Sequence, residues 1–250
     1  MVGLKYTTKR ADWQKNCTSS RIRVYWAVRT TTRANEFRPS RGEWYRRVHA
    51  SILSRENSRY ASLMAPRKRS LLGGLEGTVV ELGPGGGHNL RFFRPTVHWI
   101  GVEPNPFAHR YIHDEAQKAG ITARILAGRG EDIPLSDATA DAVVSTFVLC
   151  SVFDLQRVLA EVLRVLKPGG TFAFVEHVAA PAETGMRMIQ RMVRPCWRLL
   201  TDGCIPDRET WRFVEAAGFE NLAIDHFKVS LAIVAPHIAG MGTKPLSPHP

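Results

Sequence analysis

The sequence predicts a doubly wound α/β fold with a mostly parallel sheet, helices on both faces and an N-terminal helical extension. Short apolar runs rich in β-branched residues alternate with amphipathic segments of helical length from residue 78 onward. A glycine cluster follows directly after the first apolar run, at residues 83–87. The 250 residues are 44% hydrophobic and 23% charged, which is ordinary for one sizeable globular domain with an appendage.

The N-terminal segment differs from the rest of the chain in charge. Residues 1–70 contain 17 Lys and Arg against 4 Asp and Glu, whereas the remaining 180 residues contain 17 against 19. We interpret residues 1–40 as a basic arm that is either disordered or an organelle-targeting segment, because it is rich in Arg, Ser and Thr and poor in acids. Such an arm attracts nucleic acid only non-specifically, so we expect no specific nucleic-acid partner.

The chain carries no secretory or membrane-spanning signal. No run approaches the roughly 18 apolar residues that a transmembrane segment needs. We therefore expect an intracellular, cytoplasmic protein with reduced thiols, and organelle targeting by the basic segment is the alternative. The cysteines form no C-x-x-C pair and no zinc-like spacing, so the sequence predicts no metal site. They are Cys17, Cys150, Cys196 and Cys204.

Residues 41–75 are predicted to form helices that lie over the body of the domain and cover its ligand site. One or two helices are expected within residues 43–64, because apolar side chains there lie near one helical face. These side chains are Trp44, Val48, Ile52 and Tyr60. Residues 65–68 are expected to interrupt the helix, and a short helix follows that ends at Gly73.

Residues 76–240 are assigned to the α/β domain and residues 241–250 to a flexible tail. The predicted strands are 78–83, 97–103, 122–128, 141–152 and 171–178, and a last strand is closed by His237. Two helices are expected between them. The first occupies residues 106–120 and stops at a glycine, and the second follows the N-cap Asp154 and is ended by residues 167–170.

The glycine cluster and two acids mark the candidate ligand site, because ligands of doubly wound sheets bind at the carboxyl ends of the strands. The first acid and the glycines have the spacing E-x-G-x-G-x-G, at Glu81, Gly83, Gly85 and Gly87. A dinucleotide-binding loop would need a glycine where His88 stands. Glu103 closes the next strand, where an acid accepts hydrogen bonds from both ribose hydroxyls. Acids at two strand ends predict a ligand that lacks a pyrophosphate and bears positive charge.

Several segments together resemble the class I S-adenosylmethionine-dependent methyltransferases. They are VVELGPGGG, GVEP, GRGEDIPLSDATADAVVSTFVLCSV and EVLRVLKPGGTFAFVEH, in this order. Further segments, among them WRLLTDGC and PHIAG, are similar to the branch that includes alkyl-thiol S-methyltransferases and bacterial relatives. The resemblance covers about residues 71–235. It implies a seven-stranded Rossmann-like methyltransferase sheet, S-adenosyl-L-methionine as cofactor and S-adenosyl-L-homocysteine as product.

The resemblance also implies which residues contact the methionine and ribose portions of the cofactor. Gly83, Gly85 and Gly87 would let the backbone approach these portions closely. Glu81 would lie under the loop and orient it or the ammonium group of the cofactor. Glu103 would bind the ribose hydroxyls.

Five further positions complete the implied cofactor site. Pro104 would lie beside the adenine, and Gly130 with Glu131 would hold the adenine edge. Thr146 and Phe147, at the end of the fourth strand, would flank the methionine end.

Methyl transfer from a sulfonium is an in-line displacement, so the enzyme chiefly aligns the reactants and excludes water. His177 closes the strand that follows residues 167–170 and is the first candidate for contacting or deprotonating the acceptor, with a structural role as the alternative. Asp202 could orient His177, and Arg208 could favour a thiolate. Cys204 is interpreted as a buried small residue rather than as a nucleophile.

The remaining histidine and aromatic candidates are interpreted as structural. His237 is expected to have no chemical role. One or two of the aromatic side chains could line an acceptor pocket and the others are expected in the core. They are Tyr45, Tyr60, Trp197 and Trp211.

The acceptor is expected to be a small, apolar molecule, with a thiol favoured over a hydroxyl or an amine. A thiol, with a reference pKa of about 8.5, is already partly ionised at neutral pH, whereas a phenol at about 10 needs more help from a base. One alternative is an RNA methyltransferase that uses the basic arm. Another is a non-catalytic protein that binds S-adenosylmethionine and partners a second chain.

Overall fold

The computed structural model describes residues 42–55, 58–230 and 233–246, so the predicted basic arm at 1–40 and Cys17 lie outside the described residues. The strands are β1 Thr78–Leu82, β2 His98–Val102, β3 Ala123–Leu126, β4 Ala140–Thr146, β5 Leu166–His177, β6 Glu220–Lys228 and β7 Pro236–Thr243. The helices are α1 Glu43–Leu53, α2 Ser58–Leu72, α3 His109–Ala119, α4 Leu155–Val165, α5 Gly185–Leu200 and α6 Thr210–Ala216. None of the helices in these ranges is long and apolar enough to cross a membrane.

The seven strands form one sheet in the order β3-β2-β1-β4-β5-β7-β6. The first five strands pair in parallel, and β7 pairs antiparallel with both β5 and β6. The fold class and the strand number expected from the sequence are therefore confirmed. The strand order reverses between β1 and β4, so the glycine cluster after β1 lies at the switch point, where doubly wound sheets bind their ligands.

The two faces of the sheet bury separate apolar cores. Successive residues of a strand point to opposite faces, so Val79 joins one core with α3, and Val80 joins the other core with α4. Helix α4 shows why the helical segments form, because its buried residues recur at helical spacing. The side chain of Asp154 accepts a hydrogen bond from the Arg157 amide and caps this helix as predicted.

Strand β7 places His237 differently from the prediction. His237 is the second residue of β7 and pairs with His177, the last residue of β5. Because β7 runs antiparallel to β5, its beginning lies at the edge of the sheet where the parallel strands end. The expectation that His237 closes the last strand was wrong, and the residue lies beside the candidate site.

Three predicted segment boundaries differ in the structure. The predicted interruption at residues 65–68 is absent, since Pro66 lies inside α2, where buried Met64 and Leu72 hold the helix against the domain. Residues 167–170 continue into β5 as an irregular stretch in which Gly169 has φ +75°. Strand β7 runs through Thr243, so the tail predicted from residue 241 begins after that residue.

The fourth predicted strand is too long by six residues. Strand β4 ends at Thr146, and Phe147 adopts φ +60°. The amides of Val148 and Leu149 then donate to the Glu176 carboxylate, at 3.1 Å each. These amides therefore bond to a buried acid of β5 instead of to the backbone of a neighbouring strand. The apolar pattern of residues 141–152 does not indicate this end of the strand.

Candidate functional site

The glycine cluster forms a tight bend between β1 and the short 3₁₀ helix Leu90–Phe92. Gly83, Gly85 and Gly87 all have positive φ, a conformation that other residues adopt only at a cost. At Gly87 a Cβ atom would also lie 3.0 Å from the Cα atom of Ile112 in α3. No long helix begins at this bend in the described chain, so the bend lacks the helix dipole that receives a pyrophosphate.

Glu103, at the end of β2, is directed at the glycine bend. It is 6% exposed, and its Oε2 accepts a hydrogen bond from the Gly85 amide at 3.1 Å. Its Oε1 accepts from the Asn105 amide at 2.8 Å. Burial raises the pKa of this carboxyl, although the two amide hydrogen bonds act in the opposite direction. Each oxygen has a second lone pair, so the carboxylate can still accept from hydroxyl groups of a ligand.

Glu81 is fully buried beneath the same bend. Its Oε1 accepts from Asn89 Nδ2 at 2.7 Å, and its Oε2 accepts from Trp99 Nε1 at 3.0 Å. Burial raises the pKa of Glu81 to about 7, against the opposing effect of these two hydrogen bonds. An ionised Glu81 is therefore costly unless a positive charge lies close to it.

Asn89 lies beside Glu81 in the candidate site and was not among the residues predicted from the sequence. Its Nδ2 donates both to Glu81 and, at 2.7 Å, to Thr146 Oγ1 at the end of β4. Its Oδ1 is buried and has no hydrogen-bond partner within the described residues. A buried acceptor without a partner is costly, so this atom suits a hydrogen-bond donor of a bound ligand, such as an ammonium group. The position of Asn89, eight residues after Glu81, has no motif that could have identified it.

The other predicted cofactor residues lie at the same edge of the sheet with different surroundings. Pro104 is exposed, and its carbonyl accepts from Arg46 of α1 at 2.8 Å. Gly130 packs against Val158 of α4. Glu131 Oε1 accepts from the Phe153 amide at 2.8 Å, so this carboxylate supports the loop that precedes α4.

Helices α1 and α2 contact residues of the predicted site. The Leu53 carbonyl lies 3.0 Å from His88 Nε2, and the Leu53 side chain lies against Gly85. Tyr60 of α2 packs on Phe147 with 5.3 Å between ring centroids. Both helices therefore lie close to the glycine bend and to the end of β4.

His177 faces Cys204 rather than Asp202. Its Nε2 lies 3.0 Å from Cys204 Sγ, and its Nδ1 is buried without a hydrogen-bond partner in the described part of the chain. Asp202 therefore does not orient His177 through Nδ1. The charge of Asp202 contributes to raising the pKa of Glu103.

Arg208 stabilises the turn that follows β4. Its Nη1 donates to the carbonyls of Leu149 and Val152, at 2.6 and 2.8 Å. Opposite it, Glu176 Oε1 accepts from the Ser145 hydroxyl and from two backbone amides, whereas Oε2 is buried without a partner among the described groups. Burial raises the pKa of Glu176.

The four aromatic candidates and His237 are half-buried or buried. Tyr60 donates to or accepts from His237 Nε2 at 2.8 Å, and burial raises the pKa of Tyr60. Trp197 Nε1 donates to Cys204 Sγ at 3.1 Å. Trp211 packs on the core that contains α4, and Tyr45 stacks on His49. Trp197 thus contacts Cys204, and Tyr60 contacts His237, whose ring faces that of His177.

Cys150, His177 and Cys204 form a buried group that the sequence analysis did not anticipate. Their two Sγ atoms and one imidazole nitrogen all lie within 4.8 Å of one another. The absence of a metal site was predicted from sequence spacing alone. These ligands come from the turn after β4, the end of β5 and the loop after α5, so no local spacing could have indicated them. Sulfur and imidazole nitrogen are ligands for zinc and other thiophilic metals.

Comparisons with known proteins agree on one family. Residues 80–174 match the family described as methyltransferase domain. The chain is 37% identical over 198 residues to thiol S-methyltransferase TMT1A of Homo sapiens. This match covers 74% of this chain and 81% of that protein. It is 36% identical over 194 residues to thiol S-methyltransferase TMT1B of Homo sapiens, with 72% and 80% covered.

Solved structures show the same fold. The YcgJ protein of Bacillus subtilis superposes with a TM-score of 0.57 at 18% identity, covering 73% of this chain and 97% of that one. A possible histamine N-methyltransferase of Thermotoga maritima superposes with a TM-score of 0.52 at 22% identity, covering 78% and 99%. At these identities the likeness concerns the fold alone.

Proposed function

Because this chain belongs to the class I S-adenosylmethionine-dependent methyltransferases, we propose that it transfers the cofactor's methyl group to a small thiol by direct in-line displacement. The observation that carries the cofactor site is the pair of buried carboxyl groups, Glu81 and Glu103, on the two sides of the glycine bend. Burial raises the pKa of both groups, and a ligand with sulfonium and ammonium charges offsets that cost.

The proposed cofactor contacts follow from the polar atoms around the bend. Glu103 accepts from the two ribose hydroxyls while the Gly85 and Asn105 amides hold its carboxylate in place. Asn89 offers its unpartnered Oδ1 to the ammonium group, and Glu81 lies behind it as counter-charge. The bound cofactor supplies an activated methyl group, so these residues need only bind and orient it.

The remaining cofactor assignments stay part of the proposal. Pro104, Gly130 and Glu131 are placed on the adenine side, where Glu131 acts by supporting the loop rather than through a free carboxylate. Thr146 and Phe147 are placed at the methionine end. Thr146 is linked there to Glu81 through Asn89.

A thiol acceptor is supported by the relatives and by the chemistry of the acceptor side. Two relatives at 36–37% identity are thiol S-methyltransferases by name. His177 lies at the end of β5 beside Cys150 and Cys204 and faces His237, and we assign it the contact with a small apolar acceptor. Asp202 makes no hydrogen bond to His177 Nδ1, so an orienting role through that atom is not part of the proposal.

Replacing Glu103 with Ala tests the cofactor site. We expect the Kd for S-adenosylmethionine to rise by about 100-fold, because two hydrogen bonds to a charged group are lost. Calorimetric titration measures the affinity, and circular dichroism checks the fold. Glu215→Ala, on the exposed side of α6, is the matched control and should bind normally. Unchanged affinity in Glu103→Ala would contradict the assignment of the ribose site.

Incubation with methyl-labelled S-adenosylmethionine and a panel of thiols, phenols, amines and RNA identifies the acceptor. Mass spectrometry of the products is expected to show labelled thioethers, with far slower labelling of the other classes. Cofactor binding without labelling of any member of the panel would refute the proposed catalytic function. Labelling of RNA alone would replace the thiol with a nucleic-acid acceptor.

A further inference from the structure

We propose that Cys150, His177 and Cys204 bind one zinc ion, and that the fourth coordination position of this ion takes the acceptor thiol. All three side chains are buried, and their ligand atoms lie within 4.8 Å of one another. Two sulfurs and one imidazole nitrogen are typical zinc ligands, whereas magnesium and calcium require oxygen. The evidence for the metal site is the arrangement of these three residues. The identity of the fourth ligand rests on the proposed function.

The present distances lie close to those of a zinc site. Zn–S bonds of about 2.3 Å and Zn–N bonds of about 2.0–2.1 Å place tetrahedral ligand atoms about 3.6 Å apart. His177 Nε2 and Cys204 Sγ are 3.0 Å apart, a hydrogen-bond distance. Replacing the shared proton with the ion requires these two atoms to separate by about half an ångström, which small side-chain rotations supply.

A neighbouring donor is already directed at one of the proposed ligands. The Trp197 indole N–H lies 3.1 Å from Cys204 Sγ, and such donors orient a metal-bound sulfur.

Two polar atoms beside the group are buried without a hydrogen-bond partner in the described chain. They are Glu176 Oε2 and His177 Nδ1. Such atoms favour a further ligand or a water molecule at this place.

Three protein ligands leave one position open, which distinguishes a catalytic zinc site from a structural one. A thiol that coordinates zinc releases its proton to water. Its sulfur then forms a bond to the methyl carbon of the cofactor, and the bond from that carbon to the sulfonium sulfur breaks. The electron pair stays on the cofactor sulfur, which becomes the neutral thioether of S-adenosyl-L-homocysteine.

Metal analysis of the full-length protein tests the site without any activity assay. The protein is purified without chelators, incubated with zinc chloride, dialysed and analysed by plasma mass spectrometry. We expect about one zinc per chain, and roughly tenfold or greater loss of zinc affinity in Cys150→Ala and Cys204→Ser, measured against a chromophoric chelator. Cys196→Ser removes an exposed cysteine of α5 and should bind zinc like the wild type.

Cobalt provides a readout that does not depend on the variants folding. The wild-type protein titrated with cobalt(II) should show thiolate-to-cobalt charge-transfer absorption. The proposal is overturned if that absorption is absent, if Cys196→Ser loses zinc as the other variants do, or if the metal-free protein holds a Cys150–Cys204 disulfide in place of the ion.

Chelation then separates the metal role from the proposed function. Removing zinc should abolish thiol methylation and leave the affinity for S-adenosylmethionine unchanged. An unchanged methylation rate after zinc removal would overturn the fourth-ligand role. Zinc binding in a protein that does not bind S-adenosylmethionine would refute the proposed function and leave the metal site standing.

Discussion

Glu81 combines full burial with two hydrogen bonds, and the outcome is a pKa of about 7. A cationic cofactor favours the ionised carboxylate, so binding lowers this pKa. The affinity for S-adenosylmethionine should therefore rise as the pH increases through 7, by about tenfold between pH 6 and pH 8. Calorimetric titration across this range measures the effect.

The variant Glu81→Gln isolates this carboxyl from the other titrating groups. Its cofactor affinity should vary little with pH, whatever its absolute value. An equally steep pH dependence in Glu81→Gln would assign the effect to another group and contradict the role of Glu81.

Gly87 shows how closely the bend is packed. Ala at this position must adopt φ +79° and place its Cβ 3.0 Å from the Cα atom of Ile112. We expect Gly87→Ala to lower the free energy of unfolding by more than about 2 kcal/mol. Gly120→Ala, at φ +67° with no atom within 4 Å of the added Cβ, should cost only about 1 kcal/mol. Denaturant unfolding compares the two, and equal losses would mean that packing at the bend is loose.

At the residue scale, motif spacing identified the acids and glycines but not their hydrogen-bond partners. Glu81, Glu103 and Gly85 were predicted from their positions relative to strand ends. Asn89 was missed because its role depends on where the chain returns after the bend. The pairing of Asp202 with His177 was a hypothesis based on the family-like segment that contains Asp202 and Cys204, and in the fold Cys204 Sγ is the atom that lies beside His177 Nε2.

Helix α5 depends on an ion pair that no helical pattern would suggest. Arg187 is 6% exposed, with its Nε donating to the Ala180 carbonyl and its guanidinium 2.6 Å from Glu209. This pair connects the start of α5 to the chain that follows Cys204. The position of Cys204 beside His177 therefore depends in part on the anchoring of α5.

Breaking this ion pair should destabilise the protein strongly. Arg187→Met removes the buried partner of Glu209, which keeps its second ion pair with Arg212, so the free energy of unfolding should fall by about 2 kcal/mol. Arg191→Met, on the exposed side of the same helix, should change it by less than about 0.5 kcal/mol. The double variant with Glu209→Gln should lose less than the two single losses combined. Additive losses would show that the two side chains do not interact.

Among the elements, alternating strands and helices could be predicted because their apolar periods differ. The end of β4 could not, since residues 141–152 are apolar throughout and the turn depends on Glu176 from another strand. The direction of β7 could not be predicted either. An antiparallel strand has the same local pattern as a parallel one, yet its direction brings His237 to the site.

For the whole molecule, the charge distribution bears on the acceptor. The basic residues are concentrated in residues 1–70, and the rest of the chain is nearly neutral. We expect RNA not to compete with the thiol for its site. Thiol methylation by the full chain should therefore be unaffected by added RNA. Its rate should also change little between about 50 and 200 mM salt, a range over which phosphate-bound complexes weaken steeply. Strong inhibition by RNA at low salt would favour the nucleic-acid alternative.

The sequence by itself determined the fold class, the glycine bend and its two acids, because these depend on local periodicity and on spacing to strand ends. The tertiary structure decided which side chains meet. Strand order, the direction of β7 and the return of the chain after α5 brought Asn89 to Glu81, and Cys204 to His177 and Cys150. Contacts between segments far apart in sequence arise from packing of the whole chain, so no local pattern encodes them.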